Sequence, residues 1–427
     1  MDRALQTFER LFGPEFGHGK AFDLARLKRL LAGLDHPQAN IGPVFHVAGT
    51  NGKGSTIAFM RAIAEAAGCK VNAFTKPHLV SLNERFVVRG EIAQDDALIA
   101  LAERVARLDA DVTQFDAQVA VALALFDEHR ADLTLIETGM GGGFDSTNVF
   151  PWPTATIITP IALDHQDALG PRLEDIAAHK AGILRQNTPV ALARQADAAR
   201  AIIEAEAERI GAPLFRCGVE WDGHASGGRL MIQTENRGLD LPLPALAGRH
   251  QIDNAALACA AFLAPGPFTF DDAAFANGVL EARMPARLQP LTRGTFSAPI
   301  RALGGEVWVD GAHNAHGAKA MARALEDMQR RREAPTIAII GMRARKDAEA
   351  FIGALAGVVD RVIGVPLGEA HVAPATIRAI CEKSGIDAST APSLAAAMQS
   401  AAQDTAPRVL ICGSFLLAAE ALAGENA

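Results

Sequence analysis

The sequence has no tyrosine and only three tryptophans, beside 20 phenylalanines, in 427 residues. No tyrosine hydroxyl is available as a proton donor, a hydrogen-bonding handle or a phosphorylation site, and the core has to be built from Ala, Leu, Ile and Val. Cysteine is also scarce. Cys69, Cys217, Cys259, Cys381 and Cys412 are odd in number and include no C-x-x-C pair, which argues against a disulfide framework and a zinc ribbon and fits a reducing compartment. Long apolar runs are missing: the most apolar stretch, 255–265, is well short of the roughly 20 residues that cross a bilayer. The first ten residues carry Asp2 and Glu9 and lack the apolar segment of a secretion signal. An excess of positive charge is missing too. Forty-one Lys+Arg against 49 Asp+Glu leave a net charge of −8, without the basic footprint of a nucleic-acid binder. The expectation is a cytoplasmic, monomeric protein that meets small molecules rather than membranes or nucleic acids, with room for local pockets that take anions.

What is present is a large globular composition. The length suggests two or three domains of roughly 100–200 residues, and 49% hydrophobic with 21% charged residues suits a sizeable buried core. Short apolar runs at 44–48, 71–74, 133–136, 156–159 and 189–193 alternate with helical patterns at 56–67, 95–108 and 116–129. That alternation predicts βαβ units on a largely parallel sheet. The Gly-rich stretch 218–243 reads as a small antiparallel β insertion. Two prolines in 284–290, with Gly294 beyond them, read as a linker. Strand signals then resume at 307–310, 336–340, 361–365 and 409–412, with a helix at 315–331. The predicted fold is α/β. Residues 1–290 are expected to form one α/β domain with a parallel-rich central sheet and the small β insertion, and 291–427 a second, smaller α/β domain.

The strongest local signal is Gly49-Thr50-Asn51-Gly52-Lys53-Gly54-Ser55. It lies between a predicted strand and a predicted helix, where glycines let backbone N–H groups face phosphate oxygens and the helix N-terminus adds positive potential. Lys53 supplies a point charge, and Ser55 is placed to offer its hydroxyl to Mg²⁺ or to cap the helix. The strict G-x-x-x-x-G-K-[ST] pattern is not met, because Val47 stands at the first Gly position and Gly54 precedes Ser55. The run 133–136 ends in Glu137, followed by Thr138-Gly139-Met140-Gly141-Gly142-Gly143. A carboxylate at a strand end beside glycines is well placed for Mg²⁺.

These residues resemble the Mur-ligase superfamily, and within it folylpolyglutamate synthase/dihydrofolate synthase. The likeness is carried by Gly49–Ser55 and, in order, by Pro77-His78-Leu79 with Asn83-Glu84-Arg85, by 137–148, and by Leu163-Asp164-His165. It continues through His179-Lys180-Ala181-Gly182-Ile183, Gly248-Arg249-His250-Gln251 with Asn254, Pro285-Ala286-Arg287, Asp310-Gly311-Ala312-His313-Asn314 and Cys412-Gly413-Ser414-Phe415. The resemblance implies that 1–290 is a P-loop ATPase domain and 291–427 a Rossmann-like glutamate-ligase domain, and it implies ATP-dependent amide ligation: ATP phosphorylates a carboxylate, an amino acid's amine attacks the acyl phosphate, and amide, ADP and phosphate leave. The implied small molecules are ATP, Mg²⁺, L-glutamate and a folate-like acid.

The resemblance also implies roles. Asn51, Gly52, Lys53, Gly54, Ser55, Asn254, Arg287 and Asp310 fall at ATP contacts. Ser55, Glu137, His165 and Lys180 fall on the metal side, with Lys180 at the position that carries a carbamate in the superfamily. Lys53, Lys180, His165 and His313 are the implied catalytic set, and Lys76, His78, Gln114, Phe115, Asp116, Phe144 and Asp145 the acceptor side. Three departures stand out: Lys76 replaces the family's metal-side Ser, Gly143 replaces an Arg, and the acceptor loop reads Thr113-Gln114-Phe115-Asp116 with one aromatic instead of two. Two further readings fit the residues. One is a Mur-type ligase for a different acid or amino acid; the other is a P-loop ATPase that drives a conformational switch.

Overall fold

The computed structural model describes residues 2–14, 24–368 and 370–426. The chain divides into two compact units, Met1–Ala245 with Gln251–Arg283, and Leu246–His250 with Met284–Ala427.

The first unit is built on eight strands: β1 Val44–Ala48, β2 Val71–Phe74, β3 Phe86–Val88, β4 Glu91–Ile92, β5 Leu133–Glu137, β6 Ala155–Ile158, β7 Val190–Leu192 and β8 Leu214–Arg216. They are ordered β4-β3-β2-β5-β1-β6-β7-β8. The run from β2 to β8 is parallel, and β3 and β4 add antiparallel at one edge. β1 and β5 are buried at every residue, as strands covered on both faces must be. Helix Lys53–Ala66 follows β1 and helix Leu173–Ala181 lies between β6 and β7. Helix Gln114–Glu128 is apolar nearly all round and correspondingly buried on most of its surface.

The stretch 218–243 forms a three-stranded antiparallel sheet, β9 Trp221–Ser226, β10 Arg229–Thr234 and β11 Gly238–Pro242. The second unit holds β12 Gln289–Leu291, β13 Glu306–Val309, β14 Thr336–Ile340, β15 Arg361–Gly364, β16 Asp387–Thr390 and β17 Arg408–Cys412. Its order is β12-β13-β17-β14-β15-β16, parallel except for β12.

Two local expectations change. The proline-bearing segment read as a linker contains β12, which pairs antiparallel with β13. Pro290 is tolerated there because β12 is an edge strand, which needs no N–H on its outer side. The supposed acceptor loop 113–116 is the cap and first turn of helix Gln114–Glu128, because Thr113 and Asp116 form a capping box. All five cysteines are free. Among the described residues no helix is long and apolar enough to cross a membrane.

Candidate active site

The loop 49–52 leaves β1 at its carboxyl end, where open parallel sheets present ligand sites. Gly49 and Gly52 have φ 144° and 92°, values that L side chains rarely adopt. A Cβ at Gly49 would overlap Thr159 Oγ1, and one at Gly52 would overlap Asn254 Oδ1. The helix that carries Asn254 therefore abuts the loop. Thr50 and Asn51 donate their amides to Pro160 O at 3.0 and 3.3 Å, so the first half of the loop is pinned inward. Helix Lys53–Ala66 begins with no side-chain cap. Its first N–H groups have no intrahelical acceptor, and with the helix dipole they make an anion site. Ser55 is buried in that first turn.

Lys53 Nζ donates to Gly49 O at 3.2 Å and Thr50 O at 3.3 Å, and lies 3.9 Å from Glu137 Oε1. Val47 of β1 stands beside Glu137 of β5 in the register, which brings the carboxylate to the loop. Its other oxygen accepts the Lys76 amide at 3.1 Å. Lys180 is 4% exposed and donates from Nζ to Gly49 O at 2.8 Å. Burial, aided by repulsion from Lys53 and Lys76 and opposed by Asp164 and Asp145, lowers its pKa to about 7. His165 differs: it is exposed before the short helix Gln166–Leu169, with Nε2 4.0 Å from Asp164 Oδ2.

Among the described residues no group of three or more His, Cys, Asp or Glu could hold a metal ion. The described residues therefore assemble no protein-only cage. The Ser55 hydroxyl and Glu137 carboxylate are hard oxygen donors at the phosphate loop. They fit Mg²⁺, which keeps waters and takes phosphate oxygens as its remaining ligands.

The glycine loop 139–143 packs on the helix that bears Lys180. A Cβ at Gly142 would fall 2.5 Å from His179 O, and Gly143 N donates to that carbonyl at 2.8 Å. Gly143 itself has room for a Cβ, 3.5 Å from Gly182 Cα, so crowding does not explain glycine there. Phe144 is 65% exposed and edge-on to His179. Asp145 is buried and accepts from Met140 N at 2.6 Å, Thr147 N at 2.9 Å and the Thr147 hydroxyl at 2.6 Å. Sequence reasoning overlooked His46, whose Nε2 lies 2.9 Å from Thr147 Oγ1 and 3.1 Å from Thr138 Oγ1. The available signal was a lone imidazole within the apolar strand Val-Phe-His-Val-Ala.

On the acceptor side, Lys76 Nζ sits 5.2 Å over the Phe115 ring. Asp116 is occupied structurally: it accepts from the hydroxyls of Thr113 at 2.7 Å and Ser146 at 2.6 Å. Buried Arg85 donates to His78 Nδ1 at 3.0 Å and Gln118 Oε1 at 2.6 Å, and Gln118 donates on to Gln114 Oε1 at 3.3 Å. That chain ends on Gln114 Nε2, which is buried without a hydrogen-bond partner. Such an orphan costs about 1–3 kcal/mol.

In the second unit, the Arg287 guanidinium lies 4.8 Å over the Phe415 ring, and His313 lies 5.7 Å from the same ring. His313 Nδ1 is 3.0 Å from Gly311 O; a carbonyl only accepts, so that nitrogen carries the hydrogen. Asp310 follows β13, is buried, and accepts from Leu288 N at 2.8 Å and Ala312 N at 2.7 Å.

Comparison with known proteins agrees across most of the chain. The Mur ligase middle domain matches residues 47–262, and the Mur ligase glutamate ligase domain matches residues 299–415. The dihydrofolate synthase/folylpolyglutamate synthase of Escherichia coli is 35% identical over 379 residues, 87% of this chain and 84% of the relative. The structure of E. coli FolC in complex with DHPP and ADP superposes with a TM-score of 0.84 at 31% identity, covering 99% of this chain and 97% of that one. A bifunctional folylpolyglutamate synthase/dihydrofolate synthase with Mn, AMPPNP and L-glutamate bound gives a TM-score of 0.84 at 28% identity, covering 100% and 98%.

Proposed function

The chain belongs to the dihydrofolate synthase/folylpolyglutamate synthase family of Mur ligases, and from that premise we propose how its residues divide the work. It is an ATP-dependent ligase that joins L-glutamate to a folate-type acid. The observation that carries the assignment of roles is the Lys53–Glu137 pair at 3.9 Å on the phosphate loop.

The N–H groups at the start of helix Lys53–Ala66 hold the ATP phosphates, with Asn51, Gly52, Gly54 and Asn254 shaping the loop around them. Arg287 and Asp310 serve as nucleotide contacts, and Phe415 keeps the Arg287 fork in plane. Lys53 neutralises charge on the transferred phosphoryl group, the main demand of this chemistry. One acceptor carboxylate oxygen bonds to the γ-phosphorus as the bond to ADP breaks. The glutamate nitrogen then bonds to the acyl carbon, phosphate leaves, and the amine loses a proton. His313 lies on the substrate-binding turn after β13. Ser55 and Glu137 would hold a divalent metal, which would supply charge neutralisation on the phosphates. The neutral Lys180 amine takes up CO₂ as a carbamate, its nitrogen bonding to the carbon as it releases one proton to solvent, and burial and the lowered pKa favour this because only the neutral amine reacts.

The acceptor lies along Lys76, Phe115 and the His78–Arg85–Gln118–Gln114 chain, where Gln114 Nε2 offers an unused donor. Asp145 and Asp116 shape that side through the bonds above. Exposed Phe144, edge-on to His179, flanks the acceptor side, and exposed His165 serves the metal side. We also infer a monomer that works in the cytoplasm.

The test is an acceptor panel of dihydropteroate, tetrahydrofolate and unrelated acids with L-glutamate, read as ADP release and product mass. Oxygen transfer from ¹⁸O-labelled carboxylate into phosphate is expected. ATP hydrolysis without that transfer would favour a conformational switch, and turnover only with unrelated acids would favour a different ligase.

A further inference from the structure

His46 takes no part in the chemistry described above, yet it lies at the centre of a directed hydrogen-bond relay. It is 1% exposed in the middle of β1. Its Nε2 contacts two hydroxyls, Thr147 Oγ1 at 2.9 Å and Thr138 Oγ1 at 3.1 Å. Asp145 fixes the direction of the first bond. An ionised carboxylate only accepts, so the single Thr147 hydroxyl hydrogen goes to Asp145 Oδ1 at 2.6 Å. Thr147 Oγ1 can then only accept from the ring, and His46 carries its hydrogen on Nε2. Asp145 Oδ2 closes the relay on Met140 N at 2.6 Å.

The relay joins three segments that matter to the ligase. β1 leads into the phosphate loop. Thr138 follows Glu137 directly and is also tied to β1 by its amide, which donates to Val47 O at 2.9 Å. The glycine loop is held from its far side: a Cβ at Gly139 would fall 2.5 Å from the Phe115 ring and 2.8 Å from Asp145 Oδ2. Gly139 is thus clamped between the acceptor-side aromatic and the end of the relay.

We propose that His46 is a positioning residue which, through Thr147 and Asp145, fixes the glycine loop 139–143 against Phe115 and so sets the geometry of the acceptor side. The inference rests on the ligase reading for what that loop serves. Burial and the nearby charge of Arg185 keep the ring neutral, so it orients and does not shuttle protons.

The experiment uses the full chain and five variants: His46→Phe, His46→Gln, Thr147→Val, Thr147→Ser, and His46→Phe with Thr147→Val. Phe keeps the ring shape without the donor, and Gln restores an N–H near the Nε2 position. Glutamate ligation to dihydropteroate and binding of MgADP are measured separately. His46→Phe is expected to lower kcat/KM for the acceptor about 10-fold while MgADP affinity stays within about 2-fold. His46→Gln and Thr147→Ser recover most of the loss, Thr147→Val reproduces it, and the double variant is no worse than the poorer single one. Equal losses in acceptor and nucleotide parameters, or additive losses in the double variant, would overturn the proposal.

Amide hydrogen exchange at 140–143 provides a readout that needs no acceptor. Exchange is expected to quicken in His46→Phe and Thr147→Val but not in His46→Gln, and unchanged exchange in the first two overturns the proposal. A wild-type chain that ligates no pteroate or folate acid overturns the ligase reading alone, and the exchange result still decides the role of His46.

Discussion

Lys180 reaches from helix Leu173–Ala181 to the first residue of the phosphate loop, its Nζ donating to the Gly49 carbonyl at 2.8 Å. A buried ammonium with that acceptor titrates near neutrality, about 7 against an ordinary 10.5. Between those values the unfolded chain binds more protons than the folded one, so this residue makes stability rise with pH from about 7 to 10.5, fall as pH drops from 10.5 towards 7, and level off below 7, where both states are protonated. In bicarbonate-free buffer, the unfolding free energy of the wild type, from urea titration, is expected to gain on that of Lys180→Met across this window, at up to about 1.4 kcal/mol per pH unit. Parallel pH profiles would sink the assignment. With ¹³C-bicarbonate, a carbamate signal should appear in the wild type and be absent from Lys180→Met.

Glu137 balances Lys53 across 3.9 Å while its second oxygen holds the Lys76 amide. Glu137→Gln keeps the shape and removes the charge. We expect Mn²⁺ binding, followed by electron paramagnetic resonance, to weaken about 10-fold or more, and kcat to fall about 100-fold, with metal-free ADP binding nearly unchanged. Lys53→Ala should instead weaken nucleotide binding directly. Equal loss of metal-free ADP binding in both variants would mean that Glu137 acts only as a structural anchor.

Lys76 places an ammonium over Phe115 at 5.2 Å, where the resemblance leads one to expect a serine. An ammonium attracts an acid rather than a metal. Lys76→Ser is expected to raise KM for the acceptor acid about 10-fold and to flatten its dependence on salt, with little change in KM for ATP. An unchanged acceptor KM with a shifted metal requirement would move Lys76 to the metal side instead.

Much of this arrangement was legible beforehand because local chemistry and tertiary structure agree. The strand–Gly-rich loop–helix order around Lys53 is set by backbone needs that glycine advertises, and Glu137 announced itself as a carboxylate at the end of an apolar run. The segment 113–116 is a loop by resemblance alone, and the structure makes it a helix cap and first turn because Thr113 and Asp116 close a capping box. β12 was misread because proline usually marks a break, while its edge position depends on pairing with β13, which no local pattern reveals. His46 was invisible for a similar reason: its partners Thr138 and Thr147 are some 90 to 100 positions distant, and only the fold brings them together.

Gly52 is held at φ 92° with its missing Cβ directed at Asn254 Oδ1. Gly52→Ala must therefore strain the backbone and displace Asn254 together. A stability loss of about 1–2 kcal/mol and a nucleotide affinity loss of about 10-fold or more are expected. Shortening the neighbour in Gly52→Ala with Asn254→Gly should recover part of the stability but not the affinity, as measured by denaturant unfolding and ADP titration. Full recovery of both would show that Asn254 merely fills space.

His46 gives the acid limb of the stability profile a specific cause. Burial, with the charge of Arg185, lowers its pKa from 6.5 to about 3. In the unfolded chain the ring takes up a proton as pH falls through 6.5, while the folded chain resists until about 3. The unfolded state then binds more protons, so stability is full above the unfolded value and is lost progressively as pH falls towards the folded one. Within that window the contribution changes by about 1.4 kcal/mol per pH unit at most. His46→Phe cannot bind that proton in either state. It is therefore expected to be less stable than the wild type at pH 7, where the Thr147 and Thr138 hydroxyls lose their partner. Its loss of stability on acidification should be shallower, so that the two denaturation midpoints converge between pH 6.5 and 4. Calorimetry at pH 7, 6, 5 and 4 measures this directly, and a gap that stays constant across the series would mean that His46 is not the group whose protonation opens the fold.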